Sequence, residues 1–290
     1  MRIALLLIAL TLAACQTAPP ATRTLGPVTE PTGTFREQLH WLPVGDRLIL
    51  AQLCRPEREG AAPLVVVNHG SPPIASLRPA MQPAACAAEP IAWFLSRGHA
   101  VLLPLRRGYG ASGGAWAEGY GPCDSADFAR AGRETARDIA AAIAYARTLP
   151  DIQADAVIVV GQSAGGWGAL ALAEANPAGI RAIVNMAGGR GGRQGNAPNS
   201  NCRPDRLADA AAEFGRTARV PTLWIYTEND SFFSPAIAAD MHRAYTGAGG
   251  IARLEALGPF GRDGHALFGG AGGSAVWGPI VEPWLAGSGS

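Results

Sequence analysis

Charge is scarce in this chain. Acidic and basic residues make up 16% of 290 positions and nearly cancel, leaving a formal +1 at pH 7. That balance leaves no basic stripe to follow a nucleic-acid backbone and no acidic tail, so partners of those kinds are not expected. Histidines are few, five in all, and scattered, and the cysteine spacings match no zinc motif, so no metal site is expected. No cofactor-binding motif is present, which argues against redox chemistry. There is no internal repeat and no sign of a second domain. The apolar stretch from Ile3 to Leu12 is far too short to cross a bilayer as a permanent helix.

That stretch follows one arginine and precedes Leu12-Ala13-Ala14-Cys15, and residues 1–14 therefore read as a removed signal peptide. The pattern resembles a bacterial lipoprotein signal. The resemblance implies that Cys15 is lipidated as the first mature residue and that Gln16, standing where aspartate would retain the protein, directs it to the outer membrane, facing the periplasm. Residues 15–33 are rich in proline and threonine and poor in apolar residues, and are expected to form a disordered tether. Residues 34–290 are enough for one domain with a sizeable core.

Within that domain the most informative segment runs Val157-Ile158-Val159-Val160-Gly161-Gln162-Ser163-Ala164-Gly165-Gly166. A short apolar strand breaks at Gly-x-Ser-x-Gly and continues into an alanine- and leucine-rich helix. This is the pattern of a nucleophile elbow, which raises a serine hydroxyl on a sharp turn where a base can reach it. Gly161 and Gly165 flank the serine where a Cβ would collide with tight backbone. Such a serine needs an acid and then a histidine later in the chain. The apolar run Val220 to Thr227 ends in Glu228-Asn229-Asp230, and the strand candidate Ile251 to Leu257 is followed by a loop reaching His265. His265 is assigned as base and Asp230 as the acid that orients it. Glu228 and Asp263 are the competing acids. Glu228 lies nearer the strand body, and Asp263 is too close to His265 in sequence to reach across the site.

With these segments the chain resembles an α/β-hydrolase of the dienelactone-hydrolase-like and prolyl-oligopeptidase-like branches. Two further motifs carry the resemblance: Asn68-His69-Gly70-Ser71 and Arg107-Gly108-Tyr109-Gly110-Ala111-Ser112. The first matches the family's oxyanion loop, and the match implies that the backbone N–H groups of Ser71 and Ala164 form an oxyanion hole. One such donor contributes about 2.7–4 kcal/mol to transition-state stabilisation. His69 is expected to order this loop rather than to act as a base.

The rest of the sequence reads as the same fold class, α/β with a mainly parallel sheet covered on both faces. Phe35 to Trp41 and Arg47 to Leu53 form an antiparallel hairpin. Strands are then expected at Leu64 to Asn68, Ala100 to Pro104, Ala156 to Val160, Ala182 to Met186, Pro221 to Thr227 and Ile251 to Leu257. Helices are expected near Glu89 to Arg97, Ser125 to Leu149, Ala164 to Ala175, Asp205 to Phe214, Pro235 to Tyr245 and Ala275 to Leu285. In the second of these, Phe128, Ala131, Thr135, Ile139, Ala142, Ile143 and Ala146 recur at helical spacing, while Arg130, Arg133, Glu134, Arg137 and Asp138 read as a solvated face. Ser163, Asp230 and His265 all fall at carboxyl ends of strands, where such sheets bind ligands. Of Cys54, Cys86, Cys123 and Cys202, which permit three pairings, Cys123 is expected to bridge to Cys202 or Cys86.

The substrate is less legible. Residues 188–214 are expected to form a small cap. Trp116, Tyr120, Trp167 and Phe232 are candidate pocket walls, as are Phe233 and Phe260. Arg190, Arg193, Arg203 and Arg206 are read as solvated loop arginines that can also offer a carboxylate a bidentate partner. The function expected is cleavage of carboxylic esters through an acyl-enzyme on Ser163. A peptidase or amidase with the same residues is the enzymatic alternative, and Glu118, Asp124 and Asp127 are then candidates to receive a substrate amino terminus. A non-catalytic envelope binding lipoprotein on a hydrolase fold is the third reading.

Overall fold

The computed structural model describes residues 23–288; the signal-peptide reading of residues 1–14 and the lipidation reading of Cys15 lie outside the described residues. Nine strands form one sheet: β1 (Gly26–Pro27), β2 (Gln38–Val44), β3 (Arg47–Cys54), β4 (Ala62–Asn68), β5 (Ala100–Pro104), β6 (Ile152–Gln162), β7 (Ile180–Met186), β8 (Thr222–Thr227) and β9 (Ala252–Leu257). Their order is β1-β2-β3-β5-β4-β6-β7-β8-β9. The first four in that order pair antiparallel; from β5 onward every pair is parallel.

Alternation along the central strands makes this a three-layer molecule. In β4, Leu64 and Val66 enter one core while Val65 and Val67 enter the other; in β6, Val157 and Val159 separate in the same way from Ile158 and Val160. Strands buried on both faces read as continuous apolar runs, which is what these sequences are. Helices α2 (Phe128–Ala146), α3 (Ala164–Glu174), α4 (Pro204–Gly215) and α5 (Pro235–Gly247) fill the first core; α1 (Glu89–Leu95) and α6 (Gly273–Gly287) fill the second. Helix α3 is buried on every side except Glu174, consistent with a sequence that is apolar all round.

Three expectations are corrected here. Residues 23–33 are not a free tether, because β1 pairs with β2, Thr32 bridges to Glu37, and Arg23 donates to the carbonyls of Ala111 and Ser112. Helix α4 is no cap: its Leu207, Ala211 and Phe214 belong to the first core, where it packs on α5, α2 and α3. Asp138 is not on a solvated face; it is buried and accepts from the backbone N–H and Nε of Arg107 at 2.8 and 2.6 Å, tying α2 to the loop after β5.

Two disulfides close loops on this frame, Cys54–Cys86 and Cys123–Cys202. The second is one of the two pairings expected for Cys123. The first bridges the end of β3 to the segment before α1.

Candidate active site

The chain direction reverses between β4 and β6: β4 leads through α1 to β5 on one side, and β6 leads through α3 to β7 on the other. A crevice opens at the carboxyl ends of strands at such a switch point. Ser163 leaves β6 there with φ 54° and ψ −118°, a conformation a non-glycine residue adopts only where its surroundings hold it. Gly161 and Gly165 make the turn possible. A Cβ on Gly161 would strike the Gly165 carbonyl, and one on Gly165 would strike the Asn68 and His69 carbonyls at the end of β4. Ser163 Oγ makes no hydrogen bond among the described residues and stands in the wall of a cavity of about 230 Å³.

His265 and Asp230 meet at the ends of the neighbouring strands. Nδ1 of His265 lies 3.0 and 3.1 Å from the two carboxylate oxygens of Asp230. The buried Asp230 is held from behind, its Oδ1 accepting from the backbone N–H groups of Phe232 (2.7 Å) and Phe233 (3.0 Å). Asp263 does different work: it accepts from the backbone N–H of His265 at 3.1 Å and from the hydroxyl of Ser231 at 2.5 Å, so it shapes the two loops. Glu228 is exposed. Two contacts join the histidine to the serine's surroundings. Gln162 Nε2 donates to the His265 carbonyl at 3.3 Å, and Phe232, in the wall of the Ser163 cavity, stacks on the imidazole at 4.0 Å.

Ser71 and Ala164 line the same cavity as Ser163. The loop carrying Ser71 is fixed by His69. Its Nδ1–H donates to the Gly70 carbonyl (2.7 Å), its Nε2 accepts from the Arg106 N–H (3.2 Å), and Arg106 Nη1 donates to the His69 carbonyl (2.7 Å). Burial, reinforced by the Arg106 charge, lowers the His69 pKa to about 3, so this ring is neutral at working pH and both its nitrogens are engaged in holding the loop.

Behind this loop lies a buried charge cluster that the sequence did not disclose. Glu118, 1% exposed, pairs with Arg106 and Arg190 and accepts from the Tyr109 hydroxyl at 3.0 Å. Burial opposes its ionisation, but the two guanidiniums outweigh this and hold the carboxyl well below the usual range. Glu118 is therefore already occupied, and Arg190 is not a solvated loop arginine. Asp127 caps α2 by accepting from the Arg130 N–H at 2.8 Å. Arg203 pairs with the exposed Asp205, Arg206 donates to the Ala126 carbonyl, and Arg193 donates to Ser231.

Of the expected pocket walls, Trp116, Tyr120, Phe232 and Phe233 line the cavity, together with Arg78, which sequence reasoning did not single out. Trp167 does not. Its indole is fully buried, donates to the Phe128 carbonyl at 2.8 Å and packs on Phe214, so it fastens α3 to α2 and α4. Phe260 also lies outside this cavity. A larger cavity, about 460 Å³ and mainly apolar, is lined by His265, Gln162, Gly70, Ile91, Leu103 and Phe268 among others. The two share no lining residue but abut at Gly70–Ser71 and at Gln162–Ser163.

Residues 45–219, more than half of the chain, match the model of the X-Pro dipeptidyl-peptidase family, S15. The chain belongs to the S15 peptidase family. Its nine-stranded, mostly parallel sheet with helices on both faces is the α/β-hydrolase fold. Solved structures share its fold at low identity. An acylaminoacyl peptidase of Pyrococcus horikoshii superposes with a TM-score of 0.63 at 14% identity, over 88% of this chain and 42% of that one. Dipeptidyl peptidase 4 of Porphyromonas gingivalis gives 0.61 at 14%, over 87% and 35%. A Klebsiella pneumoniae protein described as a dienelactone hydrolase gives 0.59 at 16%, over 86% and 98%. The S15 chain thus spans less than half the length of these two peptidases and nearly all of the third protein. No curated protein matches it.

Proposed function

We propose that the protein hydrolyses carboxylic esters through an acyl-enzyme on Ser163. The observation that carries the reading is the orientation of His265 by both oxygens of the buried Asp230, at strand ends beside the strained Ser163 turn. In this mechanism Ser163 Oγ attacks the ester carbonyl carbon while His265 Nε2 accepts its proton. Asp230 keeps the remaining proton on Nδ1 and stabilises the imidazolium. The backbone N–H groups of Ser71 and Ala164 take the oxyanion. Collapse of the tetrahedral species breaks the C–O bond, and the alcohol leaves with the proton from His265. Water, deprotonated by the same imidazole, then frees the acid and Ser163.

Peptide or amide cleavage is the second reading, favoured by the name of the family and by two of the structural neighbours. Peptidases that act from an amino terminus need a carboxylate to receive it. Glu118, bonded to Arg190 of the cavity wall, is already paired with two arginines, which is why we place ester cleavage first. The deciding experiment sets nitrophenyl esters against aminoacyl nitroanilides, with Ser163→Ala alongside. Ester turnover lost in the variant supports the proposal; anilide turnover at comparable kcat/KM replaces it with the peptidase reading. Silence on both, with no fluorophosphonate labelling of Ser163, points to the binding-protein reading.

We further propose that the protein is held in the cell envelope by lipid on Cys15. Palmitate labelling that disappears in Cys15→Ser, with release from membranes, is the expected result; a Cys15→Ser protein that still sediments with membranes removes the anchor.

A further inference from the structure

Among the described residues, Arg78 is the one cation in the wall of the Ser163 cavity that forms no ion pair with a carboxylate. It lies in the short 3-10 turn Ala75–Ala80, and its guanidinium sits 3.5 Å over the Trp116 ring. Among the described residues its side chain makes no hydrogen bond or ion pair, and its Nε is shut off from solvent without a partner. The other arginine of the wall, Arg190, is held by Glu118, which also serves Arg106. Two guanidiniums therefore share one carboxylate, Arg78 is paired with none, and among the described residues no acid lines the cavity itself. Such a site repels an ammonium group. With its Cζ held over the Trp116 ring and its N–H groups bonded to no protein acceptor, this guanidinium can receive a carboxylate through two parallel hydrogen bonds.

The two cavities show which part of the substrate carries the charge. Ser71 and Ala164, which the proposed mechanism assigns to the acyl oxyanion, line the Arg78 cavity, whereas His265, which it assigns to protonate the leaving group, lines the apolar one. We propose that Arg78 binds a carboxylate on the acyl part of the substrate, so that the substrate class is a monoester of a short dicarboxylic acid with an apolar alcohol. The proposal rests on the serine-hydrolase assignment of Ser163. In the reaction the ester C–O bond breaks, the alcohol departs with a proton from His265, and water supplies the hydroxyl that turns the acyl group into the second carboxylate of the product.

The test compares monobenzyl succinate with benzyl 4-methylpentanoate, a neutral ester of similar shape, on the full chain and on Arg78→Gln. A charge-assisted hydrogen bond contributes about 1.5–3 kcal/mol. The full chain should therefore favour the anionic ester by about 10- to 100-fold in kcat/KM, and R78Q should lose that preference because its kcat/KM falls further on the anionic ester than on the neutral one. Equal use of both esters by the full chain overturns the proposal, as does an R78Q variant that loses both equally, since Arg78 would then only support Trp116. Calorimetric titration of Ser163→Ala with monobenzyl succinate separates this from failure of the hydrolase reading. Binding weakened at least tenfold by R78Q, without turnover in the full chain, keeps the subsite and removes the ester chemistry; no binding removes the subsite.

Discussion

Asp230 and Asp263 both touch His265, and the difference between them lies in which part of the histidine each one holds. Asp230 takes the ring nitrogen and Asp263 takes the backbone N–H. Asp230→Asn should present an amide to Nδ1, stabilise the wrong tautomer and lower kcat by about 10⁴-fold. Asp263→Asn should cost no more than about 10²-fold, through a loosened loop. Steady-state kinetics on both variants checks this, and a dead D263N beside an active D230N would reverse the assignment. These residues were legible in the sequence because each follows its own strand and the order serine, acid, histidine is local information repeated three times. Glu118 was not legible, since its partners are 12 and 72 residues away and nothing in the intervening sequence marks the pairing. Trp167 was misread for a similar reason: proximity to Ser163 in sequence put it near the site, but the helix turns its indole toward Phe128 in α2. Glu118→Gln should leave Arg106 and Arg190 buried without a counter-charge and destabilise the fold by about 3–5 kcal/mol, read from denaturant unfolding.

At the scale of elements, the elbow and the disulfides are what hold the cavity walls. The strand-turn-helix around Ser163 was readable because Gly161 and Gly165 have no substitute where β4, β6 and α3 converge. Gly165→Ala would drive a methyl into the Asn68 and His69 carbonyls. It should destabilise the protein by about 1–3 kcal/mol or more and reduce kcat as the Ser71 loop shifts, measurable by unfolding and by turnover in parallel. Each disulfide fastens the wall of one cavity. Cys86 follows Gln82, Pro83 and Ala84 of the apolar cavity, and Cys123 follows Tyr120 and Gly121 of the Ser163 cavity. Cys202, the partner of Cys123, donates its backbone N–H to the Gly191 carbonyl at 2.8 Å, which ties in the opposite wall. Cysteine count alone allowed three pairings; the choice depends on β3 lying beside β5, a long-range fact. Cys123→Ser should cost about 2–5 kcal/mol of stability and raise KM more than it lowers kcat, with reductant reproducing both effects on the unmodified chain.

The whole molecule carries a pH dependence that follows from its composition and its burial together. All 24 of its cationic side chains are arginine and none is lysine, and the four described cysteines are bridged, so few groups titrate between neutrality and pH 10. Buried tyrosines do so later still. Burial pushes Tyr145, Tyr226 and Tyr245 up, which favours their neutral form in the folded state and is lost only as pH rises beyond 10. On the acid side, burial lowers His40 to about 4 and His69 to about 3, and lowers His99 as well. His40 bonds the Tyr145 hydroxyl at 2.8 Å and the Gln38 side chain at 3.0 Å, and His69 holds the Ser71 loop. The unfolded chain protonates His40 and His69 near pH 6.5, whereas the folded chain resists until about pH 4 for His40 and about 3 for His69. Their contribution is thus complete above 6.5 and is lost as pH falls toward 4. Asp138, raised by burial, acts in the opposite sense over the lower, carboxylate range. Thermal unfolding followed from pH 4 to 11 should show Tm level between about 7 and 10 and falling on both sides. His40→Gln should lower the plateau, because the Tyr145 contact weakens, and flatten the acid limb, because one fewer buried imidazole must charge. An acid limb as steep in H40Q as in the unmodified chain would mean that carboxylates, not histidines, set it.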